Sequence, residues 1–357
     1  MPMKPTIAFY ISSHGFGHMT RCLAIIEEII ENTDYKVYIA CGKEQNEFAR
    51  MYLPKHNETN RILVKDLITD IGLINKNNSL RVDESRLENS LRLFVKEWEQ
   101  KIRGESEFLK HESVSLVVSD ISPLAPLVAD IIGAKCVAVS NFTWVEQYEN
   151  LNISKEIVNK FRVAYEKLDA FIEYDLATKT GYENLTRAKV GFISRKTDPS
   201  RVAEIKNEYS SSVFITCGKA TNLENVHIKN YSGNIFTTSG MDISYDGNVA
   251  KLPTCTLDTQ NYITASDMVI AKAGWGTIAE VLIASKKLVL IERPEVYEDT
   301  YMINLLRNRN LAISIPENYL RSLDIKDLMH RANQDINKAS LDRINNDIGN
   351  VFKLLSL

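Results

Sequence analysis

The chain alternates short, continuously apolar runs with longer segments whose apolar residues recur every three or four positions. In its first half the runs are Thr6–Ile11 (TIAFYI), Lys36–Ala40, Arg61–Val64, Ser115–Ser119, Lys135–Val139 and Ala170–Tyr174. Runs of this length predict buried strands, and most of the intervening segments predict helices, the first over Thr20–Ile30. Strands without polar alternation are covered on both faces, so the pattern predicts a parallel sheet wrapped by helices. Glu84–Leu109 reads as one long amphipathic helix, with Leu87, Leu91, Phe94, Trp98 and Ile102 as its core-facing stripe.

Val190–Arg201 (VGFISRKTDPSR) ends in polar, proline-containing residues and reads as a linker. A second series of runs follows it: Ser212–Thr216, Asn234–Thr238, Met268–Ala271, Leu288–Ile291 and Ala312–Ile315. Both halves open with an apolar strand running into a glycine loop, Ser13–Gly17 in one and Cys217–Gly218 in the other. The expectation is therefore an α/β protein of two doubly wound, Rossmann-like domains facing a cleft, with ligands at the carboxyl ends of the strands. The expected divisions are 1–195, 196–335 and a closing helical tail over 336–357, in which Leu341–Leu355 has helical spacing.

Composition narrows the class. At 357 residues the chain exceeds what one core usually supports. Its 44 % hydrophobic and 25 % charged content excludes general disorder. A net charge of -3 carries no basic footprint for nucleic acid. No apolar run reaches spanning length, and the N-terminal run is too short for a signal peptide. Five cysteines without CxxC spacing fit a reducing compartment, so a cytoplasmic location is expected. The absence of HExxH and Asp-x-Asp leads us to expect no metal.

Three segments carry candidate chemistry. Ser12–Arg21 (SSHGFGHMTR) places Gly15 and Gly17 in a strand-to-helix loop, where the backbone turns tightly and free N–H groups suit an anion. His18 follows; it is either a base at the mouth of a cleft or a capping, packing residue. Asp120, ending the SLVVS strand, is either a helix cap or the carboxylate that orients His18. Asp267–Arg293 carries a buried strand, then Gly274-Trp275-Gly276-Thr277 at a helix start, and Glu280 one turn later. Glycines there allow a phosphate close approach, and Glu280 is either a ribose acceptor or a solvent-facing helix acid.

The Asp267–Glu280 segment resembles the donor-binding motif of GT-B glycosyltransferases, particularly families 1 and 28, the latter including the bacterial enzyme that makes lipid II. SSHGFGHMTR is similar to their N-terminal glycine-histidine loop, SVFITCGKA to the turn opening their second domain, and VGFISR to the strand before their linker. HGFGHMTR is also similar to the glycosyltransferase-like segment fused to plant arabinose kinases. The resemblance implies an inverting, metal-independent transfer of a sugar from a nucleoside diphosphate donor, UDP- or dTDP-linked, to a hydroxyl acceptor, with no separate cofactor. His18 is then the base and Asp120 its partner. Gly218, Gly274, Gly276 and Thr277, with Trp275 between them, surround the diphosphate, and Glu280 binds the ribose. Asn304 fits the family's sugar-contacting stretch, with Glu298 and Asp299 as further contacts, but Thr300-Tyr301 replaces the usual Asp-Gln or Gln-Gln pair. A sugar-nucleotide epimerase and a catalytically silent binding module stay open as alternatives, as does association with a membrane surface through the acceptor. The polar loop within Lys65–Ser85 is read as acceptor-side.

Overall fold

The protein is described here from a computed structural model covering residues 4–53, 61–182, 185–218, 221 and 223–356. The apolar runs form two separate parallel sheets, in two compact units. Unit 1 comprises 1–74, 83–191 and 347–357; unit 2 comprises 75–82 and 192–346.

In unit 1 the strands are β1 (Thr6–Ile11), β2 (Lys36–Cys41), β3 (Ile62–Asp66), β4 (Val114–Asp120), β5 (Lys135–Ser140), β6 (Ala170–Tyr174) and β7 (Thr186–Val190). They lie in the order β3-β2-β1-β4-β5-β6-β7, all parallel. β1 is buried at every position because helices cover both faces of the sheet. The order reverses direction between β1 and β4, and a doubly wound sheet opens its ligand crevice at such a switch point.

Unit 2 contains β8 (Ser212–Thr216), β9 (Leu223–Lys229), β10 (Asn234–Thr237), β11 (Met241–Ser244), β12 (Val249–Lys251), β13 (Met268–Lys272), β14 (Lys287–Glu292), β15 (Ile313–Pro316) and β16 (Leu323–Asp324). The main sheet runs β12-β10-β8-β13-β14-β15, and β11-β9-β16 forms a small second sheet. Its switch point lies between β8 and β13. The same winding thus recurs in both units.

Two helix expectations need correction. Glu84–Leu109 is two helices, Glu84–Lys96 and Trp98–Leu109, separated at Glu97, whose N–H bonds back to Phe94 O at 3.1 Å. The apolar stripe still faces inward: Leu87, Leu91, Phe94 and Trp98 are buried, with Trp98 edge-on to Phe161. The tail is also broken, into Lys338–Leu341 and Ile348–Leu354. The cause is the polar run between them, whose side chains bind backbone elsewhere rather than leaving it to the helix ladder. Asn346 Nδ2 donates to Ser194 O at 2.8 Å within unit 2. In unit 1, Asp347 Oδ2 accepts from Gly191 N at 2.7 Å. The last helix packs on the helix Gly17–Asn32.

Residues Asn75–Val82 belong to unit 2 although the chain on either side belongs to unit 1. Two glutamates fasten them: Glu317 Oε1 accepts from Ser79 Oγ and Leu80 N, both at 3.0 Å, and Glu295 Oε1 from Val82 N at 3.2 Å. No described helix is long and apolar enough to cross a membrane. All five cysteines are free thiols.

Candidate active site

In unit 1 the chemistry gathers at the switch point. Gly15 adopts a left-handed φ of 71°, which favours glycine, and Gly17 begins the helix Gly17–Asn32. That helix delivers His18 and Arg21, three residues apart, onto one face. Asp120 ends β4 beside β1. His18 Nδ1 lies 3.1 Å from Asp120 Oδ1, so the structure brings the two sequence candidates together.

A third group completes the cluster and was not assigned from sequence. Arg21 Nε donates to Asp120 Oδ2 at 2.8 Å, and its Nη2 donates to Asp120 Oδ1. Arg21 Nη1 also donates to Asn141 Oδ1 at 2.9 Å, and Nη2 lies 2.8 Å from His18 Nδ1. Burial would raise the Asp120 pKa, but the Arg21 guanidinium and His18 outweigh it and hold the carboxyl well below the usual carboxylate range. His18 Nδ1 therefore meets both an acceptor and a donor, and it serves one of them at a time. With the proton on Nδ1 and donated to Asp120, Nε2 is the basic nitrogen. With Nδ1 accepting from Arg21, the proton sits on Nε2 and the ring is not a base there.

Asp70 is a second residue that no sequence pattern marked. It is buried and accepts from Ser13 N and Trp144 Nε1, each at 2.8 Å. Burial pushes its carboxyl up to about 7, against the hydrogen bonds from Ser12, Trp144 and Ser13. It thereby ties the glycine-histidine loop to Trp144, whose ring meets His14 edge-on at 5.8 Å.

Unit 2 repeats the arrangement at the ends of β8, β13 and β14. Gly218, just past β8, has φ 84°, and a Cβ there would come within 3.3 Å of Lys272 Cε. Lys219 and Ala220 of the same turn lie outside the described residues. Lys272 is the last residue of β13, and no described residue makes a hydrogen bond or ion pair with its ammonium. Burial, helped by the Arg293 guanidinium, lowers its pKa to about 8. Gly274 is the N-cap of the helix Trp275–Ile283, with no side-chain cap and no acid in the first turn, so its N–H groups suit an anion. Gly276 and Thr277 lie within that first turn, both half-buried.

The other candidates are placed differently from one another. Trp275 is buried and stacks on Phe192 at 6.0 Å, which supplies the packing purpose that its sequence position did not. Glu280 Oε1 accepts from Arg195 Nη2 at 2.9 Å, and the Arg195 side chain is wholly buried. Asp299 is buried too, and both its oxygens hold Arg293, from Nε at 2.7 Å and Nη2 at 2.8 Å. Glu298 is half-buried and Asn304 exposed on the helix Tyr297–Asn308. Nearby, Asn78, Ser79, Arg81, Glu295, Glu317 and Arg321 line a cavity of about 470 Å³.

The helix Trp275–Ile283 reports on Glu280 directly. Glu280→Ala would leave a buried guanidinium short of its carboxylate, a loss of about 3–5 kcal/mol in comparable sites. Glu280→Gln keeps an acceptor for Arg195, so it is expected to fold while losing the charge. Thermal unfolding should show the alanine variant much less stable than the glutamine variant; equal stability would mean that the acceptor kept for Arg195 contributes nothing.

Comparison with known proteins bears on the fold. The model of the glycosyltransferase family 28 C-terminal domain matches residues 196–348. L-arabinokinase of Arabidopsis thaliana is 24 % identical over 326 residues, 84 % of this chain, and the chain spans 29 % of that protein's length. Among solved structures, Arabidopsis thaliana UGT89C1 complexed with quercetin covers 99 % of each chain, with a TM-score of 0.67 and 13 % identity. Acinetobacter baumannii MurG covers 99 % of each, with a TM-score of 0.54 and 15 % identity. The chain has the GT-B glycosyltransferase fold, and its residues 196–348 are similar to the glycosyltransferase family 28 C-terminal domain.

Proposed function

We propose that this protein transfers a sugar from a nucleoside diphosphate donor to an acceptor hydroxyl, with inversion at the anomeric carbon and without a required metal ion. One observation carries the reading: each unit holds its chemistry-bearing side chains at its own switch point, a candidate base in unit 1 and a cationic, glycine-lined helix start in unit 2. The solved complexes of UGT89C1, one with quercetin and one with UDP-L-rhamnose, make a uridine donor the first to test.

Unit 2 takes the donor in this reading. The diphosphate lies against the N–H groups of Gly274–Thr277 and the Lys272 ammonium, with the Gly218 turn close by. Negative charge grows on the leaving diphosphate as the glycosidic bond breaks, and fixed N–H dipoles and a cation stabilise it. Glu280, held by Arg195, accepts from the ribose hydroxyls. Asp299 acts through Arg293, and Glu298 and Asn304 are the candidates for the sugar.

Unit 1 takes the acceptor. His18, with Nδ1–H donated to Asp120, removes the acceptor proton as the sugar is attacked from the face opposite the leaving group. Such base assistance is typically worth about 10²–10⁴-fold. Because Lys272 and the helix start supply the positive charge, turnover should persist in EDTA.

The test is release of free nucleoside diphosphate from UDP- and dTDP-sugars over a panel of hydroxyl acceptors, with EDTA present. Acceptor-dependent release with an inverted product is expected. Activity abolished by EDTA and restored by magnesium overturns the metal-independent part. Isomerised donor without acceptor points to an epimerase instead.

A further inference from the structure

We propose that Arg21 sets the proton affinity of His18, keeping its imidazole neutral, and so able to accept a proton, into mildly acidic solution. The functional meaning rests on His18 being the base proposed above; the physical test does not.

A buried carboxylate beside an imidazole normally raises its proton affinity, because the imidazolium pairs with it. Here the carboxylate is already paired. Arg21 holds both oxygens of Asp120, and the same Nη2 lies 2.8 Å from His18 Nδ1. With His18 neutral, the three side chains sum to zero charge. A proton on His18 would place a second cation against the guanidinium with one carboxylate between them. His18, Arg21 and Asp120 are 9 %, 3 % and 1 % exposed, so water screens this repulsion poorly. The start of the helix Gly17–Asn32, whose dipole is positive there, acts in the same direction.

The other described neighbours include two further titratable groups that face the cluster, His14 and Asp70. Cys22, on the same helix, donates to Asp120 Oδ2 at 3.3 Å, and burial pushes its thiol up, so it is neutral. Tyr174, from β6, lies under Arg21 with its ring centroid 5.3 Å away, and burial raises its phenol likewise. Ser140, which ends β5, and Asn141 and Phe142, which follow it, carry no charge. His14 is 6.5 Å away between ring centroids. Asp70 is the further acid, coupled through its field to Asp120. Among the contacts described, Arg21 is the permanent cation.

The measurement is an NMR pH titration of the His18 imidazole in the full-length, ¹⁵N-labelled protein, assigned by comparison with His18→Gln. In the unaltered protein the midpoint should lie below the ordinary histidine value of about 6.5. A midpoint above that value overturns the proposal without any Arg21 variant. Arg21→Gln should move the midpoint up by at least about one pH unit, a tenfold gain in proton affinity, and Arg21→Lys should return most of the shift. An unchanged midpoint in folded Arg21→Gln is equally contrary. In the turnover assay the same variant should shift the acid limb upward, so that its loss at pH 6 greatly exceeds its loss at pH 8.5. Absence of turnover at every pH in the unaltered protein, with the NMR shift intact, would reject the transferase reading and leave the role of Arg21 standing.

Discussion

His18→Ala is expected to lower turnover by about 10²–10⁴-fold while barely changing donor affinity. His18 belongs to unit 1, whereas the groups assigned to the donor belong to unit 2, so removing the imidazole leaves the donor's contacts in place. If His18 only packs or caps the helix, the alanine variant loses stability and keeps its per-molecule activity. Asp120→Asn should also impair turnover, because it removes the charge that stabilises the imidazolium and favours the wrong tautomer. The structure adds a complication that the sequence did not reveal. Asp120 also neutralises the buried Arg21, so its asparagine variant removes the carboxylate from a buried guanidinium, a loss of about 3–5 kcal/mol of stability in comparable sites. The kinetic cycle of His18→Ala with Asp120→Asn must therefore be read on protein shown to be folded. Non-additive kinetic losses are expected, since residues acting as one unit are not additive. Additive losses, or an active His18→Ala enzyme, would remove the pair from the mechanism.

Lys272→Met is expected to weaken nucleoside diphosphate binding by roughly tenfold to over a hundredfold, the worth of a charge-assisted hydrogen bond of about 1.5–3 kcal/mol. The expectation comes from an ammonium at the end of β13 that pairs with no described residue and stands against the Gly218 turn. A pH test accompanies it. The Lys272 pKa is lowered to about 8, so the unliganded protein carries the charge below that value and loses it above. Diphosphate affinity should hold steady below pH 8, then fall as pH rises and binding has to reprotonate the amine. The methionine variant should show a weaker affinity without that fall. An identical alkaline decline in both proteins would assign it to some other group.

Much of the fold was legible because buried parallel strands are written as unbroken apolar runs: TIAFYI and SVFIT fall on β1 and β8 residue for residue. The strands that escaped are short or polar. β9 (LENVHIK) alternates buried and exposed positions, β12 has three residues, and β7 (TRAKV) lies at the sheet edge. The helix breaks at Glu97 and after Leu341 escaped because apolar spacing continues across them; after Leu341 the side chains of Asn346 and Asp347 bind backbone elsewhere. At the site, glycines and a histidine in a strand-to-helix loop were visible locally. Arg21 was visible only as a residue three positions from His18; its bond to Asp120 spans 99 residues. Asp70 has no local pattern at all. Lys272 has a local signal, a charge closing the buried run MVIAK. Arg195 and Glu280 meet only through the tertiary fold, 85 residues apart.

The most direct single measurement is titration calorimetry of the full-length protein with UDP in EDTA, repeated with dTDP, ADP and GDP. Saturable binding of UDP or dTDP without metal is the predicted result, because Lys272 and the helix start at Gly274 need only a diphosphate of the right nucleoside. Absence of saturable binding for all four nucleotides would contradict the donor site, and with it the proposed sugar transfer.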